Sequence, residues 1–96
     1  MYVLITYDIR TLDAAGKKRL RRIAKVCTNY GQRVQNSVFE CLVDPAQCKK
    51  IEIELEKIID KENDSLRFYY LGDKYVSKVK HIGAKSSYDM EGALFV

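Results

Sequence analysis

The sequence predicts a single α+β domain in which two helices cover one face of an antiparallel sheet. Three observations carry this prediction: an apolar, β-branched run at Tyr2–Arg10, two segments with helical spacing of apolar residues, and further strand-like segments at 31–43 and 65–72. Their order along the chain is β-α-β-β-α-β, with one or two additional strands expected at the end. This order is that of the ferredoxin-like plan.

The length of 96 residues fits one domain, residues 1–96, in which 84–96 form a polar tail with an apolar end. We expect this end, Ala93–Val96, to form a short strand against a partner protomer, because an apolar terminus needs cover. No apolar run approaches the ~20 residues that span a bilayer, and we see no signal peptide. Three cysteines without CxxC spacing are typical of reduced thiols. We therefore expect a cytoplasmic protein without membrane association.

The first strand carries the candidate catalytic residue. Tyr2–Arg10 has the composition of a central strand, and Asp8 arrives as its apolar run ends, before the helix start signals at 11–13. Binding and chemistry concentrate at such strand-to-helix loops. The alternative is that Asp8 only caps or braces the loop.

Residues 11–30 are predicted to form the first helix, with Thr11 as its cap. Gly16 is either a weak point inside this helix or the true start of its regular part. Gly31 is expected to end the helix with a positive φ angle. The apolar residues fall on one stripe, formed by Leu20, Ile23, Ala24 and Cys27.

The other face of this helix is basic, and no acid beyond Asp13 balances it. The formal net charge of the chain is +4. Because a face of one sign repels itself, we favour polyanion binding over simple solvation. The bases that follow the helical spacing are Lys18, Arg21, Arg22 and Lys25.

The segment 31–43 is strand-like but contains a polar cluster at its centre. Asn36-Ser37 is either a tight turn between two short strands or a bulge in one bent strand. Arg33 and Ser37 in this cluster are either turn residues or phosphate-contacting donors. Asp44-Pro45 then opens a second helix that runs to about Lys61, with an acidic outer face that we assign to solvation.

Three blocks of the chain resemble the small CRISPR-associated endonucleases, the non-integrase member of the pair of core adaptation proteins. These blocks are Val-Leu-Ile-Thr-Tyr-Asp-Ile at 3–9, Gly-Gln-Arg-Val-Gln-Asn-Ser-Val-Phe-Glu-Cys at 31–41, and Leu-Arg-Phe-Tyr-Tyr-Leu-Gly at 66–72. His-Ile-Gly at 81–83 and the apolar end at 93–96 resemble the I-C-like subgroup.

The resemblance implies a ferredoxin-like homodimer through the sheet face, with the terminal strand crossing to the partner. It implies Mg²⁺ (or Mn²⁺) at Asp8, and a role as the dimeric bridge between integrase subunits during spacer capture. It also implies cleavage of nucleic acid, because members of the family are described as cleaving single-stranded RNA or double-stranded DNA. The resemblance does not decide between these substrates; we favour double-stranded DNA and keep single-stranded RNA as the second substrate. The competing hypothesis is a non-catalytic DNA-binding scaffold that needs the basic face and the dimer but not Asp8.

Our hypothesis for the site is that the two Asp8 carboxylates of a dimer share one cation, with water as the nucleophile. Five neighbours would position the nucleic-acid strand, Phe39 by packing or stacking and the others by polar contact, and the basic helix would hold flanking phosphates. These five neighbours are Tyr7, Arg10, Arg33, Ser37 and Phe39.

Overall fold

A computed structural model of the protein describes residues 1–72 together with Lys80 and Ile82. The additional strands expected at the end of the chain and the tail at 84–96 lie outside the described residues, which after Gly72 include only Lys80 and Ile82. The elements are β1 (Tyr2–Asp8), α1 (Ala14–Tyr30), β2 (Gly31–Gln35), β3 (Val38–Leu42), α2 (Pro45–Ile58) and β4 (Ser65–Gly72).

The described strands form one antiparallel sheet in the order β2-β3-β1-β4. β1 is central, as its composition predicts, and pairs with β3 on one side and β4 on the other. In these pairings Ile5 lies opposite both Phe39 and Phe68. The predicted α+β fold with a ferredoxin-like arrangement is confirmed.

The side chains of β1 alternate between the two faces of the sheet. Val3, Ile5 and Tyr7 are buried in the core, whereas the intervening Leu4 and Thr6 are only partly buried and Asp8 is exposed. The helices cover the first of these faces, which we call the helix face. No helix of the described residues covers the other, which we call the open face. The α1 and α2 residues that complete the core are Ile23, Cys27, Cys48, Ile51, Leu55 and Ile58.

α1 begins later than its sequence predicts, because Asp13 and not Thr11 is the N-cap. The Asp13 side chain accepts a 2.8 Å hydrogen bond from the backbone N–H of Gly16. Gly16 is therefore inside the first turn and is buried. A Cβ added there would clash with the backbone carbonyl oxygen of Arg10. The glycine allows the loop after β1 to pack directly on the start of α1.

Gly31 does not have the positive φ expected of it. Its φ is −156°, in the extended region, and it is the first residue of β2. A Cβ at this position would lie 2.5 Å from the Cys41 sulfur and 2.5 Å from the Glu40 carbonyl oxygen. The small residue is needed here for close approach between β2 and β3, and not for a left-handed backbone.

Asn36 and Ser37 form the tight turn between β2 and β3, so the turn alternative holds at this position. The predicted start of α2 is confirmed by a capping box, in which the Asp44 carboxylate accepts from Gln47 N–H at 2.7 Å and the Gln47 side chain accepts from Asp44 N–H at 3.0 Å. α2 ends at Ile58, three residues before the predicted Lys61.

Candidate functional site

Asp8 is the last residue of β1, and its side chain lies on the open face. It pairs directly with Ser65, the first residue of β4. Asp8 is exposed, and within residues 1–72 its carboxylate makes no hydrogen bond and no ion pair. A carboxylate that only braced the loop would accept hydrogen bonds from it, so the described geometry favours a carboxylate available to a ligand.

A groove of about 270 Å³ lies beside Asp8, over the paired strands β1 and β4. Arg67 lies opposite Thr6, two positions along β4 from Ser65, and therefore projects on the same face as Asp8. The Arg67 Nη1 donates a 3.2 Å hydrogen bond to the Tyr69 hydroxyl. The groove thus holds one carboxylate and one guanidinium. Its lining residues are Thr6, Tyr7, Asp8, Ser65, Arg67 and Tyr69.

The rings of Tyr7 and Phe39 lie on the helix face, and Tyr7 is buried although it forms part of the groove lining. The structure therefore corrects the prediction that these two side chains contact nucleic acid. Phe39 is fully buried and Tyr7 is 6% exposed, with ring centroids 6.2 Å apart. Stacking of Phe39 on a base is excluded by this burial, and its packing role remains. Burial also raises the pKa of Tyr7, whose hydroxyl approaches the Asn36 carbonyl oxygen at 3.4 Å. Both rings support the strand that presents Asp8.

Arg33 lies on the same helix face but at the edge strand β2, where it is exposed. Its guanidinium carbon is 5.1 Å from the centroid of the Phe39 ring. A cation at this distance is attracted by the face of the ring. Ser37 lies in the adjacent turn, and its carbonyl oxygen accepts from the Tyr7 N–H at 3.1 Å. These two residues therefore adjoin β1 on the side away from the groove.

Arg10 is exposed just beyond Asp8, in a loop that a polar network holds in place. Its backbone N–H donates to Asp64 Oδ1 at 3.0 Å, and its Nη1 donates to Asn63 Oδ1 at 3.0 Å. Asp64 also accepts from Arg19 Nε at 2.8 Å and from Asp60 N–H at 2.9 Å. The network joins the loop after Asp8 to α1 and to the loop before β4.

The four bases of α1 that follow the helical spacing are exposed on the outer surface of the helix layer. None of these four forms an ion pair with a residue in the described part of the chain. Because α1 packs on the helix face, one copy of the chain does not bring them beside the Asp8 groove. They are Lys18, Arg21, Arg22 and Lys25.

The sequence pattern did not single out Ser65 and Arg67 as site residues. The sequence contains part of the information needed to find them. Arg67 and Tyr69 alternate with the apolar Leu66 and Phe68, which lie on the helix face, so Arg67 and Tyr69 lie on the other face. Their proximity to Asp8 depends on the pairing of β1 with β4 in one register, which joins residues 57 positions apart. Asp64 was missed for the same reason.

The comparisons with known proteins agree on one family. The family model described as "CRISPR associated protein Cas2" matches residues 1–79. The chain belongs to the Cas2 family. It is 60% identical over 94 residues to "CRISPR-associated endonuclease Cas2" of Halalkalibacterium halodurans, with 98% of each chain covered. It is 58% identical over 96 residues to "CRISPR-associated endoribonuclease Cas2" of Nitratidesulfovibrio vulgaris, with 100% of this chain and 94% of the relative covered.

Solved structures of Cas2 proteins share the fold. The crystal structure of Streptococcus pyogenes Cas2 at pH 6.5 is similar with a TM-score of 0.76 and 54% identity, covering 86% of this chain and 100% of that one. A chain of a partial Cas6-RT-Cas1–Cas2 complex is similar with a TM-score of 0.62 and 26% identity, covering 84% of this chain and 89% of that one. Among the described residues, neither helix is long and apolar enough to cross a membrane.

Proposed function

We propose that this protein is a divalent-cation-dependent endonuclease of CRISPR adaptation, with Asp8 as its catalytic and metal-binding residue. The observation that carries the proposal is the exposed Asp8 carboxylate at the end of the central strand, unpartnered within residues 1–72 and beside a groove that also holds Arg67. The names of the relatives support nuclease activity. One of these names specifies RNA and the other leaves the nucleic acid open. We propose double-stranded DNA as the favoured substrate and single-stranded RNA as the second, and the substrate panel below decides between them.

The donor atoms at Asp8 fit Mg²⁺ or Mn²⁺, which prefer oxygen ligands. In the described part of the chain, no group of three or more His, Cys, Asp or Glu residues could hold a metal ion. Mg²⁺ keeps several of its waters and binds through one or two carboxylates, so a single exposed aspartate from each copy is a sufficient protein contribution. When bound, such an ion supplies an acidified water and neutralises charge at phosphorus.

The reaction is hydrolysis of a phosphodiester. The oxygen of a water molecule forms a bond to phosphorus, the bond from phosphorus to one ester oxygen breaks, and that oxygen leaves with a proton. Asp8 would hold the cation and orient the attacking water, and β1 keeps the carboxylate in place through its pairing with β3 and β4. Access to the open face lets a polynucleotide reach the carboxylate.

We propose that a second copy of the chain packs on the apolar part of the open face, leaves the groove at Asp8 and Arg67 accessible, and brings a second Asp8 to the first. Three apolar side chains of this face, Leu4, Val38 and Leu42, are only partly buried in the described chain. A face of this kind is stabilised by contact with another apolar surface. Analytical ultracentrifugation is expected to give a dimer at micromolar concentration, and a monomer throughout would contradict this assembly.

A scaffold without catalysis is the second candidate, and a specific observation favours it. Four cations of α1, which have no ion-pair partner among the described residues, lie on the helix layer away from the Asp8 groove. They could hold DNA in a complex with a Cas1-type integrase, and the solved Cas6-RT-Cas1–Cas2 complex supports such a partner. Spacer acquisition in cells that carry Asp8→Asn separates the two candidates, because only the scaffold role keeps acquisition at the wild-type rate.

A substrate panel tests the nuclease proposal. Wild type and Asp8→Asn are incubated with duplex DNA, single-stranded DNA and single-stranded RNA over a Mg²⁺ titration. Glu62→Gln is the matched control, because it removes one negative charge from an exposed loop. We expect cleavage by wild type and by Glu62→Gln, and loss of about 10²-fold or more in Asp8→Asn. Equal cleavage by all three proteins would overturn the proposal.

A further inference from the structure

Arg67 is the cation of the groove, and its surroundings leave it available to a ligand. We propose that Arg67 binds the phosphate on which Asp8 acts, and that Tyr69 orients its guanidinium; this inference rests on the proposed function. Arg67 lies on β4, opposite Thr6, so a rigid paired strand positions it. Arg67 is thus a second residue of the proposed reaction site, and it is not among the residues to which the family resemblance assigns a role.

The arginines near Asp8 differ in their ion-pair and hydrogen-bond partners. Arg19 is paired with the Asp64 carboxylate, and Arg10 donates to Asn63. Arg67 is exposed, and its guanidinium has no carboxylate partner within residues 1–72. It donates instead to the neutral Tyr69 hydroxyl. Among the described residues, Arg67 thus forms no ion pair, and it lies on the same face of the sheet as Asp8.

The spacing of the two charges leaves room for a phosphate between them. Asp8 pairs with Ser65, and Arg67 is two positions farther along β4, so Asp8 and Arg67 are diagonal neighbours. Diagonal residues of an antiparallel pair are about 7–8 Å apart, which is within reach of a long side chain. Arg67 nevertheless forms no ion pair with Asp8 among the described residues and donates to Tyr69 instead. A phosphate group fits such a gap, with the cation held at Asp8 on one side and the guanidinium on the other.

The hydrogen bond to Tyr69 improves this arrangement. A guanidinium carries five N–H donors, and the Tyr69 hydroxyl accepts from one nitrogen, Nη1. The remaining donors can bind two phosphate oxygens side by side, as arginine commonly does. Donors fixed in advance stabilise the charge that develops on the non-bridging oxygens, which is a large contribution to phosphoryl transfer.

Arg67 recognises the phosphate group alone. A guanidinium on a phosphate reads neither the base nor the 2′-hydroxyl. Arg67 therefore contributes equally to cleavage of DNA and of RNA, and independently of sequence. Selection between the two substrates must come from other residues.

The test compares Arg67→Gln and Arg67→Lys with wild type, and Lys50→Gln is the control because it removes one exposed cation from α2. We expect kcat/KM of Arg67→Gln to fall about 10²- to 10³-fold, Arg67→Lys to recover part of the loss, and the Mg²⁺ concentration at half-maximal rate to stay within about 3-fold. Wild-type kcat/KM in Arg67→Gln, in a protein that Asp8→Asn inactivates, would overturn the inference.

A binding measurement separates failure of the inference from failure of the proposed nuclease. Affinity for a 20-base-pair duplex is measured without divalent cation over a range of salt concentrations. Arg67→Gln is expected to reduce the slope of log affinity against log salt by about 1, and Lys50→Gln to leave it unchanged. If wild type binds but does not cleave and the slope still falls, the nuclease proposal fails and the phosphate contact stands. An unchanged slope contradicts the phosphate contact.

Discussion

Arg19 and Asp64 form a short ion pair that anchors the loop after Asp8. Arg19 Nε lies 2.8 Å from Asp64 Oδ2, and the Asp64 side chain is fully buried. Asp64 also accepts from the backbone of Arg10, two residues after Asp8, and precedes Ser65, the residue that pairs with Asp8. Through one carboxylate, α1 and two loops hold the end of β1 and the start of β4 in register.

The first prediction concerns this carboxylate. Asp64→Asn leaves Arg19 without its charged partner, so we expect the free energy of unfolding to fall by about 3 kcal/mol. Asp60→Asn is the comparison, because the Asp60 carboxylate accepts from the neighbouring Glu62 N–H and Asn63 side chain and forms no ion pair among the described residues. Urea denaturation followed by circular dichroism measures both. Equal and small losses would show that the ion pair is not an anchor.

The second prediction is the acid sensitivity of the same pair. Burial acts to raise the pKa of Asp64, but hydrogen bonds from Arg19 and from the backbone of Asp60 and Arg10 outweigh it, and the net pKa is lowered. A carboxyl with a lowered folded pKa stabilises the protein above its unfolded pKa of about 3.9 and loses this contribution as the pH falls through the folded pKa. The difference in the free energy of unfolding between wild type and Asp64→Asn should therefore become smaller below about pH 4. A difference that becomes larger there would contradict the assignment.

The third prediction reverses the usual effect of alanine in a helix. Gly16→Ala would gain up to about 1 kcal/mol from helix propensity in an open site. Here the added Cβ meets the Arg10 carbonyl oxygen, so we expect a net loss of about 1–3 kcal/mol. The shift of the denaturation midpoint gives the sign of the change in the free energy of unfolding. Stabilisation by Gly16→Ala would show that the loop does not pack on α1 as described.

The fourth prediction concerns the outer face of α1. Replacing its four bases, Lys18, Arg21, Arg22 and Lys25, with glutamine should reduce the salt slope of duplex binding by about 0.9 for each phosphate that is no longer neutralised, and by up to about 3.6 in all. The matched control replaces four exposed lysines of α2 and its following turn: Lys49, Lys50, Lys57 and Lys61. The same reduction in both proteins would mean that net charge alone, and not the α1 face, binds DNA.

The fifth prediction concerns the thiols. Burial raises the pKa of both Cys27 and Cys41 to about 12, and it also raises the pKa of Cys48. Because the thiolate is the reactive form, native protein at pH 8 should resist alkylation, while unfolded protein should take up three alkyl groups. Mass spectrometry counts the groups, and rapid native labelling of Cys27 would contradict its burial.

The sequence predicts features that depend on local rules. The central strand, the two apolar stripes and the Asp44 capping box follow from residue spacing and are confirmed in the structure. Gly31 was misinterpreted because the C-cap rule considers only the helix, whereas this glycine makes room for Cys41 of the neighbouring strand.

The candidate site was predicted only in part, because its members meet through long-range pairing. Asp8 was identified from its place at the end of β1. The prediction that Phe39 and Tyr7 contact nucleic acid is wrong because their side chains lie on the helix face, opposite to that of Asp8. Which side chains of a strand are buried depends on which face of the sheet the helices cover, and this is not specified by the strand's own sequence. Arg67 reaches Asp8 through the β1–β4 register, which no local pattern specifies.

The most direct measurement is single-turnover cleavage of duplex DNA by highly purified wild type, Asp8→Asn and Glu62→Gln, with Mg²⁺ varied and chelator as the zero point. We expect a rate that saturates with Mg²⁺ in wild type and Glu62→Gln, and a rate at least about 10²-fold lower in Asp8→Asn with the dimer intact. A dimeric Asp8→Asn protein that cleaves at the wild-type rate, with the same response to Mg²⁺, would contradict the assignment of Asp8 as the catalytic residue.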